Sequence, residues 1–568
     1  MTQSAGHLIV RQLEAHGVRR VYAVPGESFL DVLDGLHDSP VSTVVCRQEG
    51  GAGFMALAEG RKTGIPGIAM VTRGPGAANA MIAVHTAWQD ATPLVLFVGL
   101  IPVADRGRDA FQEFSLEGWF STTAKRVVVL DDEHRAAETV AEAMHLAVSG
   151  RPGPVVIGLP EDVLVRATEA GTVPPRALAA AAPPPAAMEE LAVRLASAAR
   201  PLIIAGGDGW VDDGGRLAQW AADAQIPVAA DWRAYDVVPH SSPAWAGWLG
   251  YGRADTLAAR LDEADLLVFI GCGRSDVLSD GYNKGFSVPT VLVLPDPDAA
   301  THSGRIDQHL AVPPSSFVDA LPCPAEVRGS RGSNWMDALA EDQRRYATPR
   351  PDNSPGVDLG VAFGVLEDRL PADKVVTYGA GNATIWGHRY LTHHGAGSLI
   401  GPRNGAMGLA VPAAVAAALI EPGRQVVAVC GDGDFLMNAQ ELAVAAAHGA
   451  APLVIVVDNG IYGTIVQHQR RHYPERPSGT SMVNPDFADW IRSFGGHGER
   501  VETAAEFGPA LERALSSGRL ALLHLVTDPE TMPPGTANAP EELAGLASAR
   551  LGAEDAGAAF SRAGEGTR

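Results

Sequence analysis

The sequence predicts an α/β protein of three doubly wound parallel sheets. Three observations carry that prediction. The chain has 568 residues, room for three or four domains at about 150 residues each. Short, almost wholly apolar runs ending in Gly, Asp or Asn alternate with helical patterns along its length, the signature of parallel strands covered on both faces. Two stretches with little apolar periodicity, 172–187 (TVPPRALAAAAPPPAA) and 329–356, read as linkers and separate blocks of ordinary domain size.

The first block, 1–171, offers the strand candidates VRRVYAVPG, VSTVVCRQ, IPGIAMVT, TPLVLFVG and GPVVIGLP. The second, 188–328, offers RPLIIAGG, IPVAA, ADLLVFIG and PTVLVLP. The third, 357–540, offers KVVTYG, QVVAVCGDG, APLVIVVDN and LALLHLV. Strands alternating with helices imply right-handed crossovers, and ligands of such sheets gather at the carboxyl ends of the strands. The tail, 541–568, is rich in Ala, Gly and Glu. It reads as a weak helix with a disordered end, or as a flap over a site.

Composition excludes several classes. With 46% apolar and 19% charged residues the chain is globular. A net charge of −22 argues against nucleic acid or an anionic membrane as partner. Cys46, Cys272, Cys323 and Cys430 show no C-x-x-C spacing, which excludes a zinc finger or disulfide scaffold and fits a reducing compartment. No G-x-x-x-x-G-K-[ST] run exists, so the chain is not a P-loop NTPase. The longest apolar run, 406–420, falls short of the about 20 residues a membrane helix needs. No basic segment followed by an apolar one succeeds Met1, so the expectation is a soluble cytoplasmic protein.

The third block carries the sharpest signal. A strand at 425–430 runs into Gly431-Asp432-Gly433-Asp434, and a strand at 452–457 into Asp458-Asn459-Gly460. Between them a helix is predicted over 439–448, with Asn438 as N-cap and Glu441 completing a variant capping box. Asp432 and Asn459 then stand at the ends of neighbouring strands about 4.8 Å apart, within reach of one cation. A carboxylate, an amide oxygen, a backbone carbonyl and diphosphate oxygens suit Mg²⁺. Gly431 and Gly433 let the backbone approach phosphates closely. A bare G-D-G is as readily a tight turn. G-D-G followed by 25 residues and then Asn, with β-α-β between, is much more specific. Upstream, Tyr378-Gly379-Ala380-Gly381-Asn382 ends a strand and opens a helix, where backbone N–H groups can bind a diphosphate. Glu49 follows the strand VSTVVCRQ and opens a helix whose dipole favours its charge, although a first-turn glutamate is ordinary on its own.

Taken in order, seven runs resemble the motifs of one family. They are V-P-G-E-S (24–28), R-Q-E-G-G-A (47–52), R-G-P-G-A-A-N (73–79), D-A-F-Q-E (109–113), Y-G-A-G-N (378–382), N-G-A-M-G-L-A-V-P-A-A (404–414) and G-D-G…D-N-G-I-Y-G. The chain, from Ala5 to about Pro533, resembles the acetolactate synthase-like, or pyruvate oxidase-like, thiamine-diphosphate enzymes. The resemblance implies a pyrimidine-binding, a central and a diphosphate-binding domain, with thiamine diphosphate (ThDP) and Mg²⁺ as cofactors. It implies Asp432, Asn459 and the Ile461 carbonyl as metal ligands. It makes Glu49 the activating glutamate, whose bond to N1′ of the aminopyrimidine favours the imino tautomer that can take the C2 proton. Met407 would lie under the bent cofactor. Gly379, Ala380, Gly381, Asn382, Asn404, Gly431, Gly433, Asp434, Tyr462 and Gly463 would contact it. Gly26, Phe111, Gln112 and His468 would face the substrate, a 2-oxo acid such as pyruvate with a carbonyl acceptor. The active site would lie between subunits of a homodimer or homotetramer.

Three departures shape the expected activity. Gly273-Arg274-Ser275-Asp276-Val277 stands where FAD-containing synthases carry an R-F-D-D-R-like run, so FAD is not expected. His468 stands where synthases favouring 2-ketobutyrate have Trp. It either serves an acceptor or sits on a surface helix. The adjacent histidines of pyruvate decarboxylases are absent from the first block, which favours carboligation over release of an aldehyde. Arg73, where synthases often have Ser, either binds a carboxylate or pairs with an acidic residue. The alternative activity is a carbon–carbon lyase resembling 2-hydroxyacyl-CoA lyase or oxalyl-CoA decarboxylase. Its CoA would need a basic anchor that is not evident in so acidic a chain. Intact Glu49, Asp432 and Asn459 oppose a non-catalytic relative. The lack of a G-x-G-x-x-G ahead of a helix opposes a dinucleotide oxidoreductase.

Overall fold

All thirteen apolar runs form strands, most of them completely buried, because a strand covered on both faces has no side that must be polar. The computed structural model describes residues 3–207, 210, 213–329 and 331–533. The tail 541–568 and the end of the third block, 534–540, lie outside the described residues.

The first sheet contains β1 (Arg20–Ala23), β2 (Ser42–Val45), β3 (Gly67–Val71), β4 (Leu94–Leu100), β5 (Arg126–Val129) and β6 (Pro154–Pro160). The second contains β7 (Pro201–Ala205), β8 (Val228–Asp231), β9 (Trp245–Leu249), β10 (Leu266–Ile270), β11 (Thr290–Val293) and β12 (Gln308–Leu310). The third contains β13 (Val375–Tyr378), β14 (Leu399–Ile400), β15 (Val426–Gly431), β16 (Leu453–Asp458), β17 (His497–Val501) and β18 (Ala521–Val526). Every pairing within these sheets is parallel.

The strand orders divide the sheets into two kinds. The first sheet runs β2-β1-β3-β4-β6-β5 and the third runs β14-β13-β15-β16-β18-β17, which is one topology used twice. The central sheet runs β9-β8-β7-β10-β11-β12, the order of dinucleotide-binding sheets. Within these three sheets, the five strands without a strand candidate in the sequence, β5, β9, β12, β14 and β17, are all edge strands.

The structure corrects one of these expectations. The stretch 329–356 holds a helix, Asn334–Ala347, and is not wholly a linker. Its buried face is narrow (Met336, Leu339 and Gln343), so polar residues dilute the helical period. The apolar run 406–420 becomes the helix Ala410–Ile420, buried through Ala418. It shares one hydrophobic core with the helix Glu49–Thr63, which joins the first and third domains of the same chain. Among the described residues no helix is long and apolar enough to cross a membrane.

Candidate active site

Parallel pairing of β15 with β16 sets Gly431 opposite Val457, so the residues that follow both strands emerge side by side. Asp432 is the first residue of a helix, Asp432–Asn438, and Gly431 is its N-cap. This corrects the predicted helix over 439–448. Asp432 and Asp434 fill the first turn, where the dipole favours acidic groups. After Asn438 the chain makes one tight turn, Ala439–Glu441, and resumes as Leu442–His448. Asn438 caps nothing; its Nδ2 donates to the Gly408 carbonyl at 2.8 Å.

Glu441 is no capping-box partner either. It is completely buried, and its carboxylate accepts the N–H groups of Arg47 (3.1 and 3.2 Å) and Gln48 (2.9 Å), just ahead of Glu49. Burial, with the Glu49 charge a lesser contributor, pushes its carboxyl up to about 7.

Asp432 accepts the Gly460 N–H at 3.1 Å and the Asn484 side-chain amide at 2.7 Å. The same amide donates to Asp458 at 2.8 Å, and His524, completely buried, meets the other Asp458 oxygen at 2.8 Å. Burial, then the charge of Asp458, raises the Asp432 carboxyl above its ordinary range. Asn459 lies beside this pair, its Oδ1 accepting the Ile461 N–H at 3.2 Å. The Ile461 carbonyl accepts the Gly463 N–H at 2.9 Å.

These strand ends open on a cavity of about 260 Å³. Of the candidate residues of this domain, Ala380, Gly381, Asn382, Met407, Gly431, Asp432, Gly433, Asp434, Asn459, Ile461, Tyr462 and Gly463 line it. Gly379 and Asn404 do not line it. The Gly379 carbonyl accepts from Arg233, and Asn404 turns to the first domain, donating to Thr86 Oγ1 at 3.0 Å. Asn382 is tied to the helix Gly463–His472, accepting from Thr464 at 3.0 Å.

The residues present fit a metal-bound diphosphate. Asp432 and Asn459 offer adjacent oxygen donors, and Asp432 and Asp458 form a like-charged pair that a cation relieves. A Cβ on Gly433 would lie 2.7 Å from the Tyr462 ring, so bare backbone is required there.

The first-domain candidates lie elsewhere, since every lining residue of this cavity belongs to the third domain. Glu49 is 9% exposed, and its Oε2 accepts the Asn79 amide at 2.8 Å. Gln48 is the N-cap, its side chain accepting the Gly51 N–H at 3.0 Å. Gly26 packs on Thr72. Asp109 and Gln112 adopt left-handed conformations (φ 54° and 64°), and Phe111 between them is 76% exposed. Arg73 pairs with Glu27 (2.7 Å) and Glu161, the second of its two predicted roles. His468 is exposed on the helix Gly463–His472 and lines no part of the cavity. Arg274 is buried and donates to the carbonyls of Lys284, Tyr282 and Ser303, so its guanidinium faces inward.

Sequence reasoning missed Asn484, His524 and Asp458. Asp458 stood beside Asn459 in the motif and could have been found. Asn484 and His524 carry no local signal.

Domain models match three stretches: a thiamine pyrophosphate enzyme N-terminal TPP binding domain at 3–119, a central domain at 188–321 and a C-terminal TPP binding domain at 379–525. The chain therefore belongs to the thiamine pyrophosphate enzymes, and its two TPP-binding domains imply thiamine diphosphate as cofactor.

Within that class it is a member of the acetolactate synthase-like family. It is 30% identical over 580 residues to the acetolactate synthase large subunit of Parasynechococcus marenigrum, covering 96% of this chain and 92% of the relative. It is 30% identical over 542 residues to the catabolic acetolactate synthase of Raoultella terrigena (92% and 94%). To the acetolactate synthase isozyme 2 large subunit of Escherichia coli it is 29% identical over 540 residues (93% and 97%).

Proposed function

We propose that this enzyme is a Mg²⁺-dependent carboligase that decarboxylates a 2-oxo acid, pyruvate foremost, and joins the remaining fragment to a carbonyl acceptor. The observation that carries the reading is Asp432 beside Asn459 in a cavity that also holds Met407 and the Gly381-Asn382 turn. Bound thiamine diphosphate supplies the carbon nucleophile and the electron sink for decarboxylation. Asp432, Asn459 and the Ile461 carbonyl would hold the metal, and the N–H groups at the start of the helix Asn382–Tyr390 would hold the diphosphate.

Glu49 provides the carboxylate that polarises the pyrimidine and moves a proton there. Because the cavity is lined by the third domain alone, Glu49 and the exposed Phe111–Gln112 loop serve a second copy of the chain, in a homodimer or homotetramer. The inward-facing Arg274 supports an enzyme without FAD. All four cysteines are free, which supports a cytoplasmic setting.

The test is a product analysis by mass spectrometry with ThDP, Mg²⁺ and pyruvate. Acetolactate in excess over acetaldehyde is expected. If neither forms while a 2-hydroxyacyl-CoA is cleaved, the acyl-CoA lyase reading replaces this one.

A further inference from the structure

We infer that Arg233, a central-domain residue outside the cavity, is a positioning residue for the cofactor loop and acts through the peptide joining Gly379 to Ala380. Arg233 follows β8 and is 0% exposed. Its Nη2 donates to the Gly379 carbonyl at 2.6 Å, and its Nη1 lies 2.9 Å from His388 Nε2. The guanidinium carbon sits 4.1 Å from the centre of the Trp232 ring. Among the described residues no carboxylate forms a direct ion pair with it, and its Nε has no hydrogen-bond partner. A buried guanidinium without a counterion is costly, so a fold that keeps one needs compensation from nearby.

The compensation runs through one peptide. The Gly379 C=O and the Ala380 N–H are two ends of a single planar unit. The first accepts from Arg233, and the second donates to Asp434 Oδ1 at 3.2 Å. A cation at the oxygen end and a carboxylate at the N–H end both align with the peptide dipole. Asp434 Oδ1 also accepts the Gly408 N–H at 2.8 Å, next to Met407. One line of bonds thus runs from Arg233 through the peptide to Asp434 and Gly408, and it fixes two walls of the cavity. The contact is close: a Cβ on Gly379 would lie 1.7 Å from Asp434 Oδ2. Ala380, Gly381 and Asn382 follow directly and line the cavity, so the orientation of this peptide sets the direction of their N–H groups. The inference rests on the proposal that a diphosphate lies against this loop.

The test is a double-mutant cycle on the full-length protein. The dissociation constant of ThDP with Mg²⁺ is measured by calorimetry, and the thermal midpoint without cofactor alongside it. The proteins are wild type, Arg233→Met, Arg233→Lys, Asp434→Asn and the Met/Asn double variant. Arg233→Met should weaken ThDP binding about tenfold or more, since it removes a charge-assisted hydrogen bond to the loop. Arg233→Lys should recover part of the loss. The double variant should fall short of the product of the single effects by about fivefold. Binding within twofold of wild type in Arg233→Met, or multiplicative effects in the cycle, would reduce Arg233 to a brace between domains and overturn the inference. So would failure of both the Met and the Lys variants to fold. A wild-type protein that bound no ThDP would instead sink the function proposed above.

Discussion

The first and third domains share one strand order, yet the cavity rimmed by Asp432 and Asn459 belongs to the third. Their corresponding strands β3 and β15 each lead straight into a helix, and what stands at that junction differs. After β15 comes Asp432, beside Asp458, a crowding of negative charge that suits a cation. Two residues past β3, at the N-cap of the helix Gly74–Asp90, stands Arg73, whose charge is already met by Glu27 and Glu161. The same scaffold therefore makes an end crowded with negative charge in one copy and a self-neutralised end in the other. Topology supplies the position, and the residue at the strand end decides the chemistry.

The sharpest way to break this contrast is Asp432→Ala. It should abolish Mg²⁺-dependent ThDP binding while leaving the fold, since Asp432 lies at a strand end and outside the apolar core. Calorimetry showing unchanged ThDP affinity would remove Asp432 from the site.

Glu49→Gln should do the reverse. ThDP should bind nearly normally, because the cavity is built by the other domain, but exchange of the cofactor C2 proton should slow by about 10²–10⁴-fold. Deuterium exchange at C2 reads this directly. A wild-type rate would make Glu49 a structural residue.

Glu441 joins the two regions and gives the smallest effect. Its folded carboxyl sits near 7 against an ordinary 4.5, so the folded state holds that proton more tightly than the unfolded state does. Stability from this group is complete below about 4.5 and is lost as pH rises towards 7, with a slope of at most about 1.4 kcal/mol per pH unit. In Glu441→Gln that part of the slope should vanish from denaturant midpoints of the cofactor-free protein. An unchanged slope would show that Glu441 titrates normally.

Much of the fold was legible because inner strands of parallel sheets are apolar on both faces, as in LVLFVGL and PLIIA. The edges were not. β14 has two residues, β12 is half-buried, and β17 (HGERV) sets Glu499 and Arg500 side by side, so none of these three presents a continuous apolar run. The cavity residues were legible because strand, Gly-Asp-Gly and Asn recur at a fixed spacing, which is local information. Asn484, His524, Arg233 and the true partner of Glu441 were not, because each acts on a residue remote in sequence. The capping-box expectation shows the same limit. Asn438 and Glu441 have the right separation for a local cap, but Glu441 is drawn to backbone N–H groups of another domain.

That contact also constrains how the sequence can drift. The Glu441 carboxylate lies so close to the backbone ahead of Glu49 that a Cβ on Gly51 would come within 2.6 Å of its Oε1. A side chain at 51 has no room while the Glu441 carboxylate stays in place. Descendants of this gene that lose the glutamate would be released from the glycine, and those that gain a side chain at 51 must first shorten the residue at 441.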